Sequence, residues 1–539
     1  METCIKWVEN IDESNNEPLT EAYHKKVWLS ALLPSKSALI FKNNAYYNII
    51  NPAKLDHPGE LVWVSDNVYS GPYSKEYLDK LSDEEIVKLI QKLENENNKY
   101  ELYNLGFTSF VSENIQKISN NIFKYLELDI KYQVGILNGI FSKIANNKSK
   151  PEFNIENVLN YIIQLLTQQN LEGYESKSLN SLFTNILWVL GRIHNNYSEK
   201  YDEKILEIMY LLSAQICEKS LDNGTMGYLN ITWKFECYQL IISIAFNRYN
   251  KLNVLDNDIK DFLSSEIDNN SSWELFQAIG MYYSQFLKID DFWAYQNFDK
   301  IFFDEKFWIN SFEGYLYSSK STKLYGLMVN KGVYSKALTS ELDKKLQNEL
   351  MKQSILYYIR GYDDLDDKNG ILCKILSLNW TLDPQSIWRI KTFEEYTDEN
   401  KQRIKNLWTL LNKKCLEEPT EHNRKILANL AKLLPIFDKL DDEIIKLSIL
   451  DIPSMESSHT YSLIKELLQY VDDQPSEVGI ILNEIVKNEN TYSNNPKILE
   501  LVEKLYINGH NKIADEICHN SGRNGGMILR EAYSKYHSN

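Results

Sequence analysis

The sequence predicts an all-α protein: an irregular α-solenoid of stacked helical hairpins, HEAT- or TPR-like, with a short mixed N-terminal segment. Three observations predict it. Chain punctuation is scarce, with 20 Gly and 12 Pro in 539 residues. Average usage would give roughly 38 and 27, and sandwiches, collagen-like chains and disordered linkers all use more of both. The prolines are also unevenly placed. Pro18, Pro34, Pro52, Pro58 and Pro72 crowd the first 75 residues, Pro151 follows, and the next is Pro384, leaving 232 residues without one. Finally, apolar residues recur at the 3.6-residue spacing of a helix buried along one stripe.

Taken in order, residues 1–75 read as an irregular segment holding the best strand candidates. Ala38–Phe41 and Leu61–Val64 are short apolar runs, separated by the turn cluster Asp56-His-Pro-Gly59. A second turn, Ser70-Gly-Pro72, leads into a central helical-repeat body over 76–383. Its first helix opens on a capping box, Ser82-Asp-Glu-Glu85, and carries the stripe Ile86, Leu89, Ile90 and Leu93. Asn154-Ile-Glu-Asn157 opens another helix, with Val158, Leu159, Ile162, Ile163, Leu165 and Leu166 on its apolar side. Leu182, Ile186, Leu187 and Leu190 mark the next, and Ile205, Ile208, Met209 and Leu212 the one spanning 201–216. Asn-rich links such as Asn195-Asn196 and Asn269-Asn270 separate helices. The remaining five prolines, Pro419 to Pro496, punctuate C-terminal helical repeats over 384–539. No fixed period recurs; the spacing drifts between about 35 and 50 residues, which fits degenerate repeats.

Composition narrows the partners. With 59 Lys+Arg against 75 Asp+Glu, the formal net charge is −16, which repels phosphate backbones and argues against broad nucleic-acid binding. Mean hydropathy is −0.41. The apolar run Leu240–Phe246 is too short to span a bilayer, so no membrane partner is expected. Glu2 and Glu9 lie where a signal peptide would be basic and then apolar. Six cysteines without a C-x-x-C pair read as reduced thiols of a cytoplasmic protein.

The chemistry-bearing motifs are missing: no phosphate loop, no G-x-G-x-x-G after a strand, no G-x-S-x-G elbow, no H-E-x-x-H helix. No catalytic group and no cofactor are therefore expected. His510, Cys518 and His519 lie close in sequence but lack the ligand count of a zinc site. Asp363-Asp-Leu-Asp-Asp-Lys-Asn-Gly370 lacks the alternating ligands and terminal Glu of a calcium loop and reads as a solvated turn. The densest feature is aromatic: 11 Trp, 35 Tyr and 20 Phe, concentrated between Trp273 and Trp308. Core packing between broad helices is the first account. The functional account is a protein-binding surface, because Trp and Tyr dominate interface anchors; Trp293, Trp308, Tyr325 and Tyr334 are its candidate residues.

Several stretches, in order, resemble the C-terminal helical region of large bacterial antiphage defence proteins, the AVAST-type STAND NTPases and related proteins that pair a sirtuin-like or nuclease effector with a helical sensor. They are His57-Pro-Gly-Glu60, Tyr69-Ser-Gly-Pro-Tyr-Ser74, Leu81 to Leu89, Leu105-Gly106, Ile136-Leu-Asn-Gly-Ile140, Tyr228-Leu-Asn230, Asp290-Asp-Phe-Trp293, Ile301-Phe302, Glu313-Gly-Tyr315, Leu327 to Tyr334, and Leu505-Tyr-Ile-Asn-Gly509. The family pattern often has Arg-Gly where Trp233-Lys234 stands, and a small residue where Glu236 stands. The resemblance implies a non-catalytic sensor that recognises a phage structural or packaging protein by shape and then activates an effector or NTPase domain, in cis or in trans. It leaves open whether the chain is an excised C-terminal part or a stand-alone subunit, and the fit of the first residues to an interior segment favours excision. Two other readings stand beside it: a general helical-repeat scaffold or adaptor binding host proteins or a signalling peptide, and an enzyme with an unfamiliar site.

Overall fold

The computed structural model describes residues 80–95, 114–146, 153–168, 174–197, 200–215, 232–269, 271–318, 321–378, 396–418, 420–454, 457–488 and 495–537, and the single residues 111, 171, 387 and 390. Among them every element is helical, as the spacing predicts. The strand candidates 38–41 and 61–64, with the rest of 1–75, lie outside the described residues. The chain divides into two compact units, Met1–Gly224 and Thr225–Asn539. That division falls inside the proline-free stretch, where proline placement gives no signal.

The first unit holds α1 (Asp83–Asn95), α2 (Ile115–Asn121), α3 (Ile130–Asn146), α4 (Ile155–Gln168), α5 (Ser176–Tyr197) and α6 (Asp202–Ser213). The capping box forms: the Glu85 amide donates to the Ser82 hydroxyl at 3.3 Å and the Ser82 amide to the Glu85 carboxylate at 2.7 Å. The Ser82 hydroxyl also donates to that carboxylate at 2.8 Å, and the amide and hydroxyl bonds together hold the Glu85 acid below its usual range. Asn154 caps α4 through the Asn157 amide at 3.1 Å. Most of each expected stripe is buried, with Leu89 and Ile163 half-buried: Ile86 and Ile90; Val158, Leu159, Ile162, Leu165 and Leu166; Leu182, Ile186, Leu187 and Leu190; Ile205, Ile208, Met209 and Leu212. They bury α3 against α5 and α4 against α6. His194 Nδ1 lies 3.0 Å from Asp202 Oδ1, a buried pair that ties the end of α5 to the start of α6.

The second unit is a run of hairpins in two layers. One layer holds α7 (Trp233–Leu252), α9 (Trp273–Ile289), α11 (Trp308–Tyr317), α14 (Lys344–Ile359), α16 (Asp398–Glu417), α18 (Asp442–Asp451), α20 (Pro475–Asn488) and α22 (Asn511–Arg523). The other holds α8 (Asn257–Asp268), α10 (Asp291–Phe302), α12 (Thr322–Asn330), α13 (Val333–Thr339), α15 (Ile371–Ser377), α17 (Glu421–Leu430), α19 (Ser457–Leu467), α21 (Pro496–Ile507) and α23 (Leu529–His537). In the first layer each helix packs on the next, as α7 on α9 on α11; in the second, α8 packs on α10, α13 on α15, and α17 on α19 on α21 on α23. This is how a helix with one apolar stripe finds cover when no sheet is present.

Polar bonds mark the same register. Lys300–Asp268, Lys331–Asp299, Lys345–Glu313, Lys504–Asp472 and Lys535–Glu503 each join residues 32 apart, at 2.5 to 3.9 Å. Two acid–lysine dipeptides link both ways: Asp299 pairs forward while Lys300 pairs back, and Glu503 and Lys504 repeat the arrangement. Other inter-hairpin bonds span 29 residues (Trp293 to Ser264) to 52 (Asn196 to the Ile144 carbonyl). Some of them satisfy carbonyls in the last turn of a helix, which have no intrahelical partner. Lys414 reaches the Leu376 carbonyl at 2.6 Å, Asn524 that of Val486 at 2.6 Å, and Arg403 that of Tyr358 at 3.4 Å.

The tightest crossing joins α9 and α11. A Cβ on Gly280 would overlap the Ser311 carbonyl, and one on Gly314 would overlap the Gln277 carbonyl. The two backbones therefore touch, and glycine is required at both positions. Gln277 Nε2 donates to the buried Glu313 at 3.0 Å beside this contact. Desolvation raises the Glu313 acid, with Lys345 opposing it. Further along, Glu349 and Lys352 form a buried ion pair at 2.8 Å on α14. Asp451, at the end of α18, is buried with neither carboxylate oxygen bonded. Burial pushes its acid up to about 8.

Candidate functional site

The aromatic segment separates into an inner and an outer set. Trp293 is 3% exposed; its indole Nε1 donates to Ser264 Oγ at 2.9 Å and its ring lies 4.9 Å from Phe286. Trp308 is buried, with the Lys336 ammonium 4.3 Å from its ring. Tyr325 stacks on Tyr357 at 3.9 Å. Tyr334 is fully buried; its hydroxyl donates to Gln353 Oε1 at 2.6 Å and lies 2.9 Å from the Tyr315 hydroxyl. The four candidate anchors are therefore interior residues that hold α10 to α14 together. Packing explains them: each is buried, and the Trp293 indole N–H and the Tyr334 hydroxyl also have internal hydrogen-bond partners.

The outward residues are different ones. On α10, Ala294, Asn297, Phe298 and Ile301 face inward with Trp293. The opposite side carries Phe292, 77% exposed, and Tyr295, 46% exposed. They stand three residues apart on one helical face. The start of α10 is fixed by Asp290, whose carboxylate accepts the Trp293 amide at 2.9 Å and pairs with Lys260 at 3.3 Å. Phe292 and Tyr295 both belong to the aromatic-dense segment 273–308, but neither is among its four candidate anchors. The signal was the phase of the helix, since the polar Gln296 and Asp299 share their side.

A groove of about 570 Å³ opens between α22 and α23. Arg523 ends α22 and Arg530 begins α23. The turn between them passes through Gly525 at φ 80°, where a side chain would be strained. The Gly525 amide donates to the Gly522 carbonyl at 3.1 Å and the Gly526 amide to the Ser521 carbonyl at 2.8 Å, closing the end of α22. Besides the two arginines, His519, Met527, Tyr533 and Cys518 line the groove. Cys518 is buried, 3.7 Å from the Tyr506 hydroxyl, and burial raises its thiol, so it is held protonated.

His519 and Cys518 both line this groove; among the described residues no group of three or more His, Cys, Asp or Glu is placed to hold a metal. The acidic stretch 363–370 is the turn between α14 and α15. Asp363 accepts the Ile371 and Leu372 amides at 3.1 and 2.7 Å and so caps α15. Among the described residues no helix is long and apolar enough to cross a membrane. No protein-family profile, curated protein or solved structure matches this chain.

Proposed function

We propose that the chain is a non-catalytic helical-repeat recognition module that binds a protein ligand. The observation that carries this reading is the exposed pair Phe292 and Tyr295 on α10. Large aromatic side chains in water are unfavourable alone and are the common anchors of protein interfaces. The acidic surface, net −16, favours a partner with a basic or polar face. The ligand is a phage structural or packaging protein, and the module acts in the cytoplasm with an effector or NTPase domain in cis or in trans. The resemblance in the sequence is the support for these finer statements.

The test is affinity capture from phage-infected and uninfected lysates, on the wild-type chain and on the Phe292→Ala/Tyr295→Ala variant. A phage protein retained by wild type and lost from the variant, with the circular dichroism of the two alike, supports the reading. Equal retention by both chains removes α10 as the contact, and retention of only host proteins favours an adaptor.

A further inference from the structure

The groove between α22 and α23 is unlike the rest of this molecule. The chain carries an excess of 16 negative charges, yet the lining of the groove has two arginines and a histidine and no carboxylate. Among the described residues neither the Arg523 nor the Arg530 guanidinium has a hydrogen-bond or ion-pair partner. The acids on α22 are engaged elsewhere: Asp515 accepts from the Tyr506 hydroxyl at 2.7 Å and lies 3.3 Å from His537, and Glu516 accepts from Asn483 at 3.3 Å. Glu531, beside Arg530, is exposed and does not line the groove. Two like charges held at one opening repel, and a ligand of charge −2 relieves that repulsion while each guanidinium presents its fork of donors.

The remaining lining sets the other half of the ligand. Met527 and the buried Leu529 give an apolar surface, and the Tyr533 ring, 5.2 Å from the His519 ring, gives an aromatic one. The volume lies in the range of small-molecule sites, about 300–1,000 Å³. We propose that this groove binds a small phosphomonoester dianion carrying an apolar or aromatic group, with Arg523 and Arg530 on the phosphate and Tyr533 and Met527 on the apolar part. The Cys518 thiol stays neutral and takes no covalent part; the site is one of binding.

The experiment is calorimetric titration of the full chain at pH 7.5 with phenyl phosphate, inorganic phosphate and benzoate. Phenyl phosphate is expected to saturate with a Kd of about 1 mM or below, at least tenfold tighter than benzoate and tighter than inorganic phosphate. Arg523→Gln and Arg530→Gln, both exposed positions, are each expected to weaken it at least tenfold with unchanged circular dichroism. Phe292→Ala/Tyr295→Ala is expected to leave it unchanged, which separates this site from the protein-binding reading. Absence of saturable binding, benzoate binding as well as phenyl phosphate, or indifference to both arginine substitutions overturns the proposal.

Discussion

Neither carboxylate oxygen of Asp451 has a donor, and burial pushes its acid up to about 8. Its neighbours on the facing helix offer no relief: the Cys415 thiol is itself raised, to about 11, by burial and then by the Asp451 charge. In the unfolded chain this acid titrates near 3.9. The folded form thus holds a proton that the unfolded form has lost between those values. Its stabilising contribution is complete below about pH 4 and is lost as pH rises through about 8. Asp451→Asn keeps the shape and removes the titration. Its melting temperature should exceed that of wild type by a few °C above pH 8, and the difference should shrink towards pH 5; a constant difference across that range would contradict this account. Nothing in the sequence singled out Asp451, because one acid at a helix end looks solvated until the neighbouring helix covers it. Caps were legible by contrast: Ser82 with Glu85, and Asn154, act within four residues and need no tertiary contact. The aromatics fell between these cases. Trp293 and Phe292 are adjacent and similar in character, and only the phase set by Asn297, Phe298 and Ile301 sends one inward and the other into water.

At the scale of elements, the α9–α11 crossing and the lysine–acid pairs differ in what they contribute. At Gly280 the facing backbone is in contact, so an added methyl cannot be absorbed by a rotamer change. Gly280→Ala should cost at least about 1–3 kcal/mol, as overpacking does, and urea unfolding of the variant would show it as a lower midpoint. An unchanged midpoint would mean that the helices separate freely there. The pairs spaced 32 residues apart are weaker. Asp472 is 65% exposed and Lys504 32%, and a double-mutant cycle on them should give a coupling below about 1 kcal/mol that fades with added salt. Their value lies in register rather than strength. Helix positions and apolar stripes were readable because period 3.6 is a local property. The spacing between hairpins was not, because the bonds that define it use lysine, asparagine, arginine or tyrosine against acids or bare carbonyls. Such varied chemistry leaves no recurring residue pattern.

For the whole molecule, class was legible and division was not. Depletion of glycine and proline, with repeated amphipathic stripes, admits few architectures besides packed helices. The boundary between the units ending at Gly224 and starting at Thr225 has no proline to announce it, only the Asn223-Gly224 pair with Gly227, a turn signal that does not distinguish a boundary between units from a link within one. The basic groove escaped notice because Arg523 and Arg530 are two residues of 59 positive ones, made neighbours by the turn through Gly525. The 32-residue register also implies an asymmetry between kinds of genetic change. A point substitution on the lysine–acid ladder loses one weak bond. A single residue inserted inside α21 turns everything after it by about 100°, carrying Glu503 and Lys504 off their shared face unless the insertion follows them. The same insertion in a link between hairpins is taken up by the loop. One alanine inserted after Ile498 should therefore lower the unfolding midpoint far more than one inserted after Asn269. Descent with such a constraint would let side chains diverge freely while the lengths of the helices stayed fixed.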